Sequence, residues 1–261
     1  MRHARQTLGR LFVLVALTGL SLVAPPLAHG DDAPLTWAKA VVYLPGETQP
    51  TTVDRIPADR KHPAIIYMHG CSGITGGEGG DNHRWAKLLA AQGLLVVMPD
   101  SMARGDRKPS CDPAAHKGGL FPPVYGMRLE EIRYAAEQIR TAPWFSGRLF
   151  LMGHSEGGMA VARAKLGGFA GVVISGWTCT NKQFASFDGV FAPAETPVLA
   201  MKYEDDPWFP SSSPAHGSCE SKLAGRSNAK YVSLPGRGHG TYDNGAARAA
   251  VVAFLGDLMK K

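Results

Sequence analysis

Cysteine and charge are both scarce in this 261-residue chain. The four cysteines, Cys71, Cys111, Cys179 and Cys219, form no C-x-x-C pair and no His/Cys cluster at metal-ligand spacing. Neither a zinc site nor a dithiol redox motif has support, and no metal or organic cofactor is expected. Asp, Glu, Lys and Arg make up 19% of the residues, and the net charge of +6 is not spread evenly. Arg2, Arg5 and Arg10 stand together at the start; without them 25 basic residues face 22 acidic ones, about +3. That is too weak a field to argue for nucleic acid or an anionic membrane as partner. Internal repeats, linkers and breaks in composition are missing too, which points to one domain with one sizeable core.

What is present begins with an export signal. The three arginines precede an apolar run from Leu11 to Ala24, then Pro25-Pro26, then Ala28-His29-Gly30. Charged, apolar and small-residue regions in that order are those of a secretory signal peptide, residues 1–30, cut after Ala28 or Gly30. The run is short for a bilayer span and stops at the prolines, so no stable membrane anchor is expected after cleavage. No cysteine follows it to carry a lipid, and no twin arginines precede it. The mature domain, 31–261, is expected to be periplasmic or secreted. Four cysteines in an exported chain suggest two disulfides, with three connectivities open.

Strand-like and helix-like segments then alternate, the pattern of a mostly parallel central sheet with helices on both faces. Trp37–Leu44 and Thr52–Ile56 read as an early antiparallel pair. Apolar runs at 63–68, 94–98, 148–152, 170–174, 197–203 and 230–234 read as strands. Helices are expected over 81–91, 125–141, 155–166, 218–225 and 245–260, the second with Met127, Ile132, Ala135, Ala136 and Ile139 on its apolar face. A long loop covers 101–124.

Gly153-His154-Ser155-Glu156-Gly157 is a G-x-S-x-G motif. The motif alone is weak, but here it follows the strand Leu149–Met152 and opens a helix. A serine on so tight a turn needs neighbours without side chains, which Gly153 and Gly157 provide, while Gly158 lets the helix lie close on the sheet. Ser155 is therefore the candidate nucleophile, with the helix N-terminus beneath it favouring negative charge.

Such a serine needs a base and the base an orienting carboxylate, in the chain order Ser, Asp or Glu, His. Only His216 and His239 follow Ser155. His239, in Gly236-Arg-Gly-His-Gly240 between the last strand and the last helix, is the candidate base; His216 lies one loop too early. In Glu204-Asp205-Asp206-Pro207, neighbouring side chains at a strand end alternate faces, so Asp205 and Asp206 cannot both address one histidine. Asp206, before the proline that turns the chain, is favoured. His154 is expected to point away from Ser155, and His69 to be structural. The oxyanion donors are expected to be the backbone N–H groups of Glu156 and, in the His69-Gly70-Cys71 loop, Cys71. Trp177 and Trp208 follow the strands on either side of the acid and are candidate pocket walls.

With Met68-His-Gly-Cys-Ser-Gly73, Pro99-Asp-Ser101, Arg104-Gly105, Gly153-His-Ser-Glu-Gly-Gly158, Glu204-Asp-Asp-Pro207 and Gly238-His-Gly240 in order, nearly the whole mature chain resembles the α/β-hydrolase superfamily, and within it the dienelactone hydrolase-like group. The group's dienelactone-cleaving enzymes use a cysteine where this chain has Ser155, and they are cytosolic. The resemblance therefore implies a serine hydrolase of carboxylic esters or lactones, with a small-molecule substrate. It also implies no large cap domain between Ile174 and Pro197, hence an open, shallow pocket. Its strand order implies disulfides Cys71–Cys111 and Cys179–Cys219. A peptidase or amidase, an acyltransferase with the same triad, and a non-catalytic binding protein on the same scaffold are the rival readings. Oligomeric state is not legible.

Overall fold

The computed structural model describes residues 1, 32–74, 79–107, 110–118 and 122–260. The signal peptide expected over residues 1–30 lies, past Met1, outside the described residues. From Asp32 onward the chain forms one compact unit. It runs α1 (Ala33–Ala38), β1 (Val41–Tyr43), β2 (His62–Met68), α2 (Gly79–Ala91), β3 (Leu95–Met98), β4 (Cys111–Asp112), β5 (Lys117–Gly118) and α3 (Pro122–Thr141). There follow β6 (Phe145–His154), α4 (Glu156–Arg163), β7 (Gly171–Ser175), β8 (Val198–Asp205), α5 (Glu220–Leu223), β9 (Ala229–Arg237) and α6 (Gly245–Met259).

Seven strands form one sheet in the order β1-β3-β2-β6-β7-β8-β9. Only β1 is antiparallel, pairing with β3; every other neighbour is parallel. The central strands are apolar on both faces because both are covered. Ala64, Ile66 and Met68 of β2 pack with Ile132, Ala135 and Ile139 of α3 and Met159 of α4. Ile65 and Tyr67, pointing the other way, pack with Trp85 and Leu89 of α2 and Val251 and Leu255 of α6. Asn244 caps α6, its side chain accepting the N–H groups of Ala246 and Ala247 at 3.0 and 3.2 Å. Among the described residues no helix is long and apolar enough to cross a membrane.

The start of the domain departs from the early antiparallel pair. Residues 33–38 are helical: Pro34 sits in the first turn, where its missing N–H costs nothing, and the Thr36 hydroxyl donates to Ala33 O at 2.8 Å. The first strand is shortened to Val41–Tyr43. Thr52–Ile56 is no strand: Val53–Arg55 forms a 3₁₀ turn, and only Thr51 bridges to Val42. Pro50 and Pro57, which bracket this stretch, cannot donate to a ladder. The segment between β7 and β8 contributes only a 3₁₀ turn, Ala185–Phe187, and no cap domain.

Candidate active site

The turn between β6 and α4 carries Ser155 in a backbone conformation that L-residues avoid, φ 57° and ψ −117°. Its N–H donates to Ser175 O on β7 at 2.9 Å, which holds the turn against the neighbouring strand. No side chain fits beside it. A Cβ on Gly153 would collide with the Gly157 carbonyl, and one on Gly157 with the backbone carbonyls of Met68 and His69. Because those carbonyls belong to the sheet and its first loop, they cannot give way. Gly157→Ala is therefore expected to lower unfolding stability by about 3 kcal/mol. Chemical denaturation measures it, and an unchanged midpoint would show that the turn is not tightly packed on β2.

His239, on the loop after β9, places Nε2 2.9 Å from Ser155 Oγ and Nδ1 2.8 Å from Asp206 Oδ2. His239 and Asp206 are 4% and 3% exposed. A carboxylate only accepts, so the ring proton sits on Nδ1, and Nε2 is left to accept the serine hydroxyl. The second Asp206 oxygen accepts the backbone N–H of Trp208 at 3.0 Å, so the carboxylate is held at both ends. Asp205 faces the other way and pairs with Arg237 at 2.8 Å in solvent. His216 stays apart, exposed and bonded through Nδ1 to Phe209 O at 2.9 Å.

Three rings box in the His239 imidazole: Trp208, Phe209 and His154, with centroids at 5.2, 5.9 and 4.9 Å. His154 bonds to β7. Its Nδ1 lies 3.2 Å from Ser175 Oγ, which in turn bonds Thr241 Oγ1 at 2.7 Å.

Cys71 and Glu156 line the same cavity as Ser155, and Gly70 lies against the Ser155 Cβ. Cys71 is joined to Cys111 with Cα atoms 5.9 Å apart, tying the loop after β2 to the long loop. Cys179, after β7, is joined to Cys219 at the start of α5, Cα atoms 4.7 Å apart. His69 is buried and serves structure: Nδ1–H donates to Gly70 O at 2.7 Å, while Nε2 accepts from Ser101 N–H at 3.0 Å. Burial and the Arg128 charge hold its pKa well below the ordinary histidine value, so it stays neutral.

Behind this loop lies a buried polar cluster that sequence reasoning missed. Arg128 is fully buried and Glu156 is 5% exposed. Arg128 donates to Glu131 at 2.9 Å and to His69 O at 2.7 Å. Arg107 donates to Glu156 at 2.7 Å and to Ser110 Oγ at 3.1 Å, and Ser110 Oγ also bonds Glu156. A signal was there. Arg128 and Glu131 share the spacing of Tyr125, Ile132, Ala135 and Ile139, so two charges sit on the apolar stripe of α3. Met127, expected on that stripe, is only partly buried.

The cavity beside Ser155 has a volume of about 370 Å³ and is walled by Tyr125, Trp177, Phe184, Trp208 and Phe209. Among the described residues no three His, Cys, Asp or Glu side chains group to hold a metal ion. The arrangement can activate a hydroxyl and receive an apolar or aromatic group beside it.

No protein-family model and no curated protein matches the chain. Solved structures do. Est1E from Butyrivibrio proteoclasticus aligns with a TM-score of 0.54 and 15% identity, over 85% of this chain and 94% of its own. TT1662 from Thermus thermophilus aligns at 0.55 and 21%, over 87% and 96%. A candidate dienelactone hydrolase from Klebsiella pneumoniae aligns at 0.52 and 15%, over 77% and 89%. With its mainly parallel sheet and helices on both faces, the chain has the α/β-hydrolase fold.

Proposed function

We propose that this α/β-hydrolase-fold chain is an exported serine hydrolase that cleaves carboxylic esters or lactones through an acyl-enzyme on Ser155. One observation carries the reading: a continuous hydrogen-bonded path from Ser155 Oγ through His239 to buried Asp206, opening on an aromatic-walled cavity. The export segment and two disulfides suit an oxidising compartment, periplasmic or extracellular.

In the proposed reaction His239 Nε2 takes the Ser155 proton as Oγ attacks the ester carbonyl. The carbonyl electron pair moves to oxygen, and the N–H groups of Cys71 and Glu156 face the resulting oxyanion. Asp206 accepts from Nδ1 and stabilises the imidazolium. Collapse of the intermediate breaks the bond to the leaving alcohol, which takes the proton from Nε2. Water then gives a proton to Nε2 and attacks the acyl carbon; collapse releases the acid and restores the serine hydroxyl.

The cavity volume suits a compact acyl or alcohol group, and its rings suit an aromatic one. Est1E, a structural neighbour, has been solved with ferulic acid bound. The test is a panel of p-nitrophenyl esters from acetate to octanoate, a feruloyl ester and a matching anilide. Turnover of the esters, lost on treatment with one equivalent of a fluorophosphonate, is the expected result. Preferential cleavage of the anilide would favour an amidase, and no turnover with no labelling would favour a binding protein.

A further inference from the structure

We infer that Arg128 is a positioning residue for the oxyanion site, clamping the segment that leads to Cys71 against the one that follows Ser155. The inference rests on the reading of Ser155 as nucleophile with the N–H groups of Cys71 and Glu156 as oxyanion donors. Those donors come from different parts of the sheet, Cys71 from the loop after β2 and Glu156 from the first residue of α4. Both must reach one oxygen at about 2.7–3.1 Å, so the spacing between the two segments sets how well charge is stabilised.

Arg128 touches both. Its Nη2 donates to His69 O at 2.7 Å, and its Nη1 lies 3.2 Å from His69 Nε2, two residues before Cys71. Its Nε lies 3.7 Å from Glu156 Oε1, on the side chain of the second donor. Glu131 fixes the guanidinium from below, and Glu131 itself accepts from Ser101 Oγ at 2.8 Å. A second connection closes the ring. Cys71 is bonded to Cys111, and the neighbouring Ser110 holds the Glu156 carboxylate together with Arg107. The two donor segments are thus linked twice, once through the Cys71–Cys111 disulfide with the Ser110 hydrogen bond beside it, and once through Arg128, hydrogen-bonded to His69 and ion-paired with Glu156.

Packing alone does not call for this. A buried charge cluster gives up hydration that apolar side chains would not, so stability is a weak reason for its presence. Rigid placement of polar backbone is a better one, because preorganised donors need no reorganisation when charge develops. Lysine could carry the charge but not the fork.

The test compares the purified protein with Arg128→Met, Arg128→Lys and Glu156→Gln, with active sites titrated by a fluorophosphonate so that kcat is counted per competent site. For Arg128→Met the expected kcat falls about 100-fold with KM within about threefold. Inhibition by a trifluoromethyl ketone, which forms an oxyanion on the serine, weakens in parallel with kcat/KM. Arg128→Lys falls between wild type and Arg128→Met. A merely structural role would lower Tm and the titrated fraction but leave per-site kcat and ketone affinity unchanged; that result overturns the inference. Should Arg128→Met fail to fold, Arg128→Lys and Glu156→Gln decide, and per-site kcat within twofold of wild type in both overturns it. Wild-type protein that no fluorophosphonate titrates would instead sink the reading of Ser155 itself.

Discussion

Ser155→Ala is expected to lower kcat for a p-nitrophenyl ester by about 10⁶-fold while KM stays within a few-fold. In the proposed reaction the serine Oγ is the atom that bonds the acyl group, and no other hydroxyl is hydrogen-bonded to His239 among the described residues. Without it the proposed site would still bind an ester and face its carbonyl oxygen with N–H groups. What it cannot do is split one hard hydrolysis into two easier steps. The remaining rate should be that of direct water attack, raised about 10³–10⁴-fold over solution by orientation and oxyanion contacts. Steady-state kinetics at protein concentrations high enough to see this residue check it. A variant that kept more than about 1% of the wild-type rate would place the nucleophile elsewhere.

Asp206→Asn is expected to lower kcat by about 10⁴-fold with little loss of stability. The reason is the tautomer. Asp206 accepts from His239 Nδ1–H, which leaves Nε2 as an acceptor for the serine proton. An asparagine amide can turn its NH₂ towards Nδ1, which moves the ring proton to Nε2, where it blocks proton transfer from Ser155. The adjacent Asp205→Asn is the internal control. Its carboxylate pairs with Arg237 in solvent, more than half exposed on both sides, so its removal should change kcat less than threefold. Equal losses in the two variants, or a larger loss at Asp205, would assign the acid differently.

Much of the fold is legible because it is written in local terms. Runs such as Ala64–Met68 and Leu95–Met98 are apolar throughout, which a strand covered on both faces requires. The glycines around Ser155 announce a turn where backbone meets backbone. Alternation at a strand end says only that Asp205 and Asp206 cannot both address one histidine, and the proline after Asp206 is what favours it; the two aspartates bond different partners, Arg237 and His239. The stretch from Ala33 to Tyr43 was harder, since a short apolar run fits a helical turn and a strand equally well. There Pro34 and the Thr36 hydroxyl favour the helix.

The cluster around Arg128 was hidden for a different reason. Its members come from the loop after β2, the long loop, α3 and α4, far apart in the chain. Only the fold brings them together. A charged residue on an otherwise apolar helix stripe is the local trace that such a cluster leaves, and Arg128 with Glu131 leaves it twice.

The measurement closest to the central claim is peptide mapping by mass spectrometry after labelling the native protein with a fluorophosphonate. The account predicts one adduct per chain, on the peptide that contains Gly153-His-Ser-Glu-Gly157, located at Ser155 and lost in Ser155→Ala. An adduct on another residue, or labelling that persists in Ser155→Ala, would contradict it.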